Sequence, residues 1–597
     1  TFPPYDPWFA GGYINYYYYG FVMVGVPVKL LGVAPAVAYN LIVPTLFALV
    51  AASAFSIGWN LVHGSGTSGQ GLPIRAACTG LAAAILVTVA GNLKSVELLW
   101  QHLRTGVEAG WWYWLPSRAI CHADAPPAIT EFPFFTFLYG DLHAHAMALP
   151  LVLLLLGWAL SQSQSESHRH PVGTYVFASL ILGGLYVTNT WDFPVCATIA
   201  LIAAWCGSKG RAAGVRIGIA ALLIAMPFVL FSPFFHWYAR GYGSFDWWTG
   251  PRTSISQYLS HWGVFLFLIG SYLLWTSVRR VREASGKPSV GFVLLIAGTL
   301  LVGLATWAAG VPIAPLALVL GIWAGTLAFT SGHSRSERFV LMLIAVAGGL
   351  TLMVEIVALQ GDVGRMNTVF KFYYQAWILL AVSAAFAGVA TWCASRFWRR
   401  WIRIAWRIPA VLLIGAAGLY PITATPDKIS DRAAETPRGL DGAAFMAHTT
   451  CIDQGAPIRL GYDLEAIRWM REHVAGTPVL VEGHTPEYRW GSRFSIHTGL
   501  PAVVGWNWHQ RQQRGSAGDL VQKRIDAVQE FYTTTDAERL RTFLNRYRVE
   551  YIICGDLERL YYPACDERLA QFDGRLWSRV FHNEGTTIYC VNRHAPP

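Results

Sequence analysis

EFPFFTFLYGDLHAHAMALP, residues 131 to 150, places an Asp and two His residues at the mouth of an uncharged apolar run that continues through LVLLLLGWAL. Asp141, His143 and His145 alternate with Leu142 and Ala144, and Pro150 follows as the continuous hydrophobic segment begins. Ionisable groups at the edge of a membrane-length run are costly unless they pair or act. The stretch therefore sets both the fold class and the search for a site.

Outward from it the chain stays apolar. Of 597 residues, 54% are hydrophobic and 13% charged, with a mean hydropathy of +0.37, which excludes a soluble globular protein of this size. The expectation is a polytopic α-helical membrane protein with about twelve spans. They lie near 37–60, 75–92, 146–161, 173–188, 192–206, 213–235, 261–278, 289–309, 313–330, 339–359, 368–393 and 405–424. A span needs about 20 residues. The chain opens on Thr1 in a loop-like TFPPYDPWFAGG, read as a fragment whose preceding span, a thirteenth, is missing.

A net charge of +10 would suggest nucleic acid in a soluble protein. Here the basic residues sit in short loops: Lys209, Arg211 and Arg216; Arg279, Arg280, Arg282 and Lys287; Arg335 and Arg338; Arg396, Arg399, Arg400, Arg403 and Arg407. Alternating spans put all four loops on one side, which the positive-inside rule makes the cytoplasm. No nucleic-acid partner is expected. Residues 93–145, 189–192, 236–260, 360–367 and everything after 424 then lie outside, with the C-terminal region beyond a bacterial or archaeal cell membrane. Tyr17 to Gly32, short and carrying Pro27 and Lys29, reads as an interfacial helix within a first outer loop, 1–36.

The transmembrane part, 37–424, gives way to a charged region, 425–597, with alternating helix and strand signals: helices at 462–474, 519–531 and 536–547, strands at 478–483, 550–555 and 586–592. This is an expected extracytoplasmic α/β domain. Of nine cysteines, Cys78, Cys196, Cys206 and Cys393 lie in apolar runs, and the other five are too scattered to define a framework; a Cys554–Cys565 disulfide is one option.

Three motifs carry a resemblance: FPPYDPWFAGGYINYYYYG (2–20), EFPFFTFLYGDLHAH (131–145) and GDVGRMNTVFKFYYQAW (361–377). With GLPAVVGWNWHQRQQRG (499–515) and VEYIICGDLERLYY (549–562), they resemble the uncharacterised "YYY" membrane proteins of bacteria and archaea. The layout of that family is similar to the GT-C superfamily of lipid-carrier-dependent glycosyltransferases, in which acids from two outer loops flank the site. The resemblance implies a GT-C-like fold and transfer of a sugar from a polyprenyl-phosphate-type lipid donor to an outer-face acceptor.

Such chemistry needs a carboxylate for the acceptor and positive charge for the leaving phosphate. The resemblance makes Asp6 and Asp141 the catalytic candidates, with Glu131 as an alternative second acid. Asp6 in PYDPW equally suits a turn, and Asp141 an N-cap. Asp141, His143 and His145 together suit a divalent metal ion or donation to a phosphate. Arg365 and Lys371, beside Asp362 and Asn367, suit a phosphate or pyrophosphate, or else a salt bridge and snorkelling. Tyr17 and Tyr18 guide a polyprenyl chain or anchor a helix. Asn189 and Asp192 line the same cavity or form a capped turn. In the tail, His484, Glu487, Tyr488, Arg489, Trp506, His509 and Arg511 sit in loops able to reach the acceptor. The alternative function is a transporter or lipid-handling protein, against which the middle spans carry few ionisable groups, Glu355 excepted.

Overall fold

The computed structural model describes residues 2–63, 72–106, 111–123, 125–165, 171–239, 244–283, 290–330, 332–432 and 439–592. Thr1 and Lys287 lie outside the described residues. Among those described, seven helices are long and apolar enough to cross a membrane: Pro35–His63, Ala144–Gln164, Ala213–Leu230, Ile255–Arg282, Arg335–Met353, Met366–Ser395 and the Arg400–Arg432 stretch. The other five expected runs are shorter apolar helices, Leu72–Thr88, Val172–Thr188, Asp192–Gly207, Val293–Ala308 and Ala314–Phe329. At about 1.5 Å per residue, 16 residues reach only about 24 Å, so the length criterion separates the two groups. The protein is a helical membrane protein.

The Met366–Ser395 helix is the centre of the bundle. From Thr368 to Ala387 nearly every side chain is buried, as expected of a helix apolar all round and covered on all sides. Within the stretch expected to be interfacial, a helix forms at Tyr19–Leu31 and ends at Gly32, whose φ of 65° is the left-handed conformation glycine permits.

After residue 439 the chain builds a four-stranded mixed sheet. Val479–Val481 runs parallel to Val549–Cys554, which pairs antiparallel with Thr587–Val591, which pairs in turn with Trp577–His582. Helices Leu460–His473, Gly518–Thr533 and Ala537–Tyr547 flank it. The sheet also grows at its first edge. Residues 501–503 lie against Leu480, and the N-terminal segment pairs beyond them: Ala10 N–H donates to Ala502 O (2.9 Å), Ala502 N–H to Pro7 O (2.9 Å), and Gly505 N–H to Trp8 O (2.8 Å). Phe9 is buried in the hydrophobic core of this region, with Arg524 and Arg514 over its ring at 3.5 and 3.9 Å.

One buried cation organises the C-terminal region. Arg493, 1% exposed, bonds Asp463 through Nε (2.6 Å) and Glu558 through both terminal nitrogens (3.0 and 2.7 Å). Glu482 completes the cluster by accepting from Phe494 and Ser495 N–H, and Glu558 accepts from Gly483 and Gly555 N–H. Burial raises the Asp463 and Glu482 carboxyls. For Glu558, burial is outweighed by Arg493, which holds it below the usual range. Removing one partner from a buried ionic cluster costs about 3–5 kcal/mol. Arg493→Met is therefore expected to lower stability by about that amount, read as an earlier midpoint in denaturant unfolding followed by tryptophan fluorescence. A midpoint unchanged from wild type would contradict the assignment.

Candidate functional site

A cavity of about 1160 Å³ opens between the helix bundle and the C-terminal region. The bundle contributes Asp141, His143 and His145 from one segment and Asp362, Asn367 and Lys371 from another. The N-terminal segment contributes Asp6, Tyr17 and Tyr18, and the C-terminal region Tyr488, His509 and Gln513. Of these twelve residues, eleven, all but Gln513, are sequence candidates, brought to one space from four distant parts of the chain.

Local structure explains how 141–145 presents its groups. Pro133 starts a short helix, Pro133–Tyr139, and Gly140 ends it at φ 74°. The next helix begins at Ala144, earlier than its hydrophobicity alone indicates, with His143 as an extended N-cap residue at φ −82°, ψ 157°. Asp141 makes no cap for it and stays exposed to the cavity. Because His143 is extended and His145 helical, the two rings converge although they are two residues apart. Their Nδ1 atoms are 3.0 Å apart. His145 Nε2 lies 3.3 Å from Thr136 Oγ1 and 3.9 Å from Glu131 Oε2.

Glu131 lies in the connecting segment beneath the pair, 3.6 Å from Arg118. Burial pushes its carboxyl up to about 7; Arg118 opposes the rise and Asp141 adds to it. Burial likewise lowers the His143 imidazole, against the pull of Asp141. At neutral pH this wall thus carries a carboxyl that shares its proton.

On the facing segment, Asp362 caps the Met366–Ser395 helix: it accepts from Asn367 N–H (3.1 Å) and Thr368 N–H (2.8 Å), and from both their side chains. Asn367 is therefore held by Asp362 while it lines the cavity. Lys371, one turn further on, donates to Tyr17 OH (3.1 Å) and lies over the Tyr17 and Trp191 rings. Behind it a recess of about 20 Å³, room for one water, is lined by Asn189 and Asp192, whose side chains bond at 2.9 Å.

Three candidates are placed differently from their sequence reading. Arg365 does not reach the cavity. It is 5% exposed and bonds Glu355 Oε1 (2.6 Å), Thr253 Oγ1 (2.9 Å) and Val354 O (2.9 Å). Trp506 stands behind the lining, stacked on Trp8 at 5.7 Å. Asp6 lines the cavity but has both oxygens engaged: Oδ1 accepts from Trp8 N–H (2.8 Å), and Oδ2 from Arg514 (2.7 Å) and Gln510 (3.0 Å). Sequence reasoning missed Trp8 and Gln513 as lining residues and Arg514 as the partner of Asp6. The HQRQQR run that follows the aromatic cluster was the available signal.

Metal chemistry has a geometric test here. Among the described residues, the one trio of His, Cys, Asp or Glu with ligand atoms within 4.8 Å of one another is Cys554, Cys565 and Asp566. Its two sulfurs are 2.7 Å apart, closer than the roughly 3.8 Å that tetrahedral zinc–thiolate bonds impose. Asp141, His143 and His145 do not assemble such a trio, and the two imidazoles face each other.

No curated protein matches the chain. Two solved structures of oligosaccharyltransferase from Archaeoglobus fulgidus align with the chain. One is AglB with an inhibitory peptide and a dolichol-phosphate, at 11% identity; the other is tethered to an acceptor peptide, at 14%. Each alignment covers 100% of this chain and 69% of that one, at a TM-score of 0.34, a level that carries no weight for function. A family model matches residues 1–380, more than half of the chain and including all three signature motifs of its first part: the protein belongs to the family of uncharacterised membrane proteins designated DUF2298.

Proposed function

We propose that this protein is a membrane glycosyltransferase, moving a sugar from a polyprenyl-phosphate-type lipid donor to an acceptor at the outer face of a bacterial or archaeal cell membrane. The observation that carries the reading is the shared cavity, in which an open carboxylate and an imidazole from one segment and a lysine from another meet beside an apolar wall. That wall is the Tyr19–Leu31 helix: Phe21, Val22 and Val26 line the cavity, and Phe21 and Val26 are also 47% and 51% exposed. An isoprenoid chain fits along that face with its phosphate toward Lys371.

In the reaction, the bond between the anomeric carbon and the phosphate oxygen breaks and a bond to the acceptor oxygen forms. Asp141, exposed in the cavity, takes the acceptor proton, and Lys371 and His143 meet the charge that develops on the leaving phosphate. Asp6 positions rather than reacts, since its oxygens are filled by Arg514, Gln510 and the Trp8 N–H. Glu355, the one acid that suggested a path through the bundle, is 0% exposed and paired with Arg365, so the transport reading loses its main support.

Membranes carrying the Asp141→Asn variant are expected to transfer sugar from polyprenyl-phosphate donors about 10²–10⁴-fold more slowly than wild type, with donor binding retained. Wild-type rates would sink the mechanism. Asp6→Asn should differ in kind: the pairing with Arg514 weakens, and limited proteolysis after residue 439 should quicken.

A second test uses pH. A carboxyl raised from 4.5 to about 7 in the fold leaves stability intact below the unfolded value and removes it as pH climbs through the folded value. Relative to Glu131→Gln, the wild-type protein is therefore expected to lose about 3 kcal/mol between pH 4.5 and 8. Thermal melts of both forms across that range check it, and parallel curves would refute the shift.

A further inference from the structure

The cavity is chemically divided. Its bundle side presents Lys371 and His143, groups that suit an anion. Its roof, from the C-terminal region and the N-terminal segment, presents Trp8, Tyr488, His509, Gln512 and Gln513. The formal charges near this roof are committed elsewhere: Arg489 to Asp453, Arg511 to Gln522, Arg514 to Asp6, and Glu487 to the Trp508 N–H. What remains toward the space is aromatic rings, amides and an imidazole whose pKa burial lowers, against the pull of Glu487.

Tyr488 is the unusual member. It is 84% exposed and holds a φ of 60°, a left-handed backbone that a bulky residue rarely adopts and that the surroundings must enforce. The Glu487–Trp508 bond fixes the loop, and the Tyr488 ring meets the Trp506 ring edge-on at 5.5 Å. Trp506 is itself stacked on Trp8 and set against His509 at 5.5 Å. Four polar atoms in this group, Trp8 Nε1, Trp506 Nε1, His509 Nδ1 and Gln513 Oε1, are buried without a hydrogen-bond partner among the described residues. Buried polar atoms left unpaired call for a ligand or water. An aromatic face with a few neutral donors and acceptors around it suits a ring that offers C–H bonds on one side and hydroxyls at its edge.

We propose that this roof is a subsite for an uncharged sugar ring, with the Tyr488 ring packing on the face of the sugar and the Gln512, Gln513 and His509 side chains meeting its hydroxyls. The proposal rests on the transferase reading and adds where the sugar sits: away from Lys371, under the C-terminal region.

The test uses the full chain in lipid nanodiscs, since glycoside detergents would compete. Saturation-transfer NMR with the methyl glycosides of glucose, mannose and N-acetylglucosamine is run beside titration with inorganic pyrophosphate. At least one glycoside is expected to bind, and Tyr488→Ala to weaken it about five- to tenfold with pyrophosphate affinity unchanged; Tyr488→Trp should restore binding. Lys371→Met should do the reverse, weakening pyrophosphate alone. No glycoside binding, or binding indifferent to Tyr488→Ala, overturns the subsite. Pyrophosphate binding indifferent to Lys371→Met, with Tyr488-dependent glycoside binding intact, instead strikes the transferase reading and leaves the subsite standing. Because Tyr488 is so exposed, its truncation leaves the core intact, and an unchanged thermal midpoint confirms that in each variant.

Discussion

The ion pair between Asp6 and Arg514 is the contact on which the cavity depends. It joins residues 508 positions apart, and with Gln510 it ties the turn before the tyrosine run to the helix Asn507–Arg514 that forms part of the roof. The attachment around it is redundant: three backbone hydrogen bonds between residues 7–10 and 502–505, and Phe9 sunk into the C-terminal core between two guanidinium groups. Asp6 is 3% exposed, and burying a carboxylate is tolerable only with its charge paired and its remaining oxygens bonded. That condition is met here from both ends of the chain. Were the pair absent, the backbone hydrogen bonds and Phe9 would still hold the roof, but over a buried carboxylate left without its counter-charge.

Much of this was legible in the sequence, and the failures have physical causes. Hydropathy and length placed the helices because water-to-lipid transfer dominates every local preference in such segments. The strand at Val549–Cys554 and the helices at 460–473 and 518–533 follow from their own periodicity. Trp577–His582 went unread because it is an edge strand with only Trp577 fully buried, so its alternation is faint. Asp141, His143, Asn367 and Lys371 were found because each interrupts or adjoins an apolar run, where polarity is informative.

Pairings were not legible. Arg365 looked like a phosphate ligand because its partner, Glu355, belongs to the end of another apolar segment, and only the fold turns that segment back onto it. Asp6 read as a catalytic candidate or a turn residue, and its pairing was invisible because Arg514 lies 508 positions away. Likewise the convergence of His143 and His145 depends on where one helix begins. A start two residues later would leave both side chains on extended backbone; the observed start puts one on each side of the boundary.

The clasp between residues 7–10 and 502–505 has a consequence for biosynthesis. The partner of residues 7–10 is synthesised only after the whole helix bundle that lies between them in sequence, and long-range contacts of this kind form late. Until then the bundle stands with an unroofed, water-filled mouth, its charged groups hydrated and its aromatic wall open to lipid. A nascent or truncated chain can therefore be inserted and helical and yet lack the enclosed space in which those groups act. Synthesis of residues 502–514 is itself the event that closes the chamber.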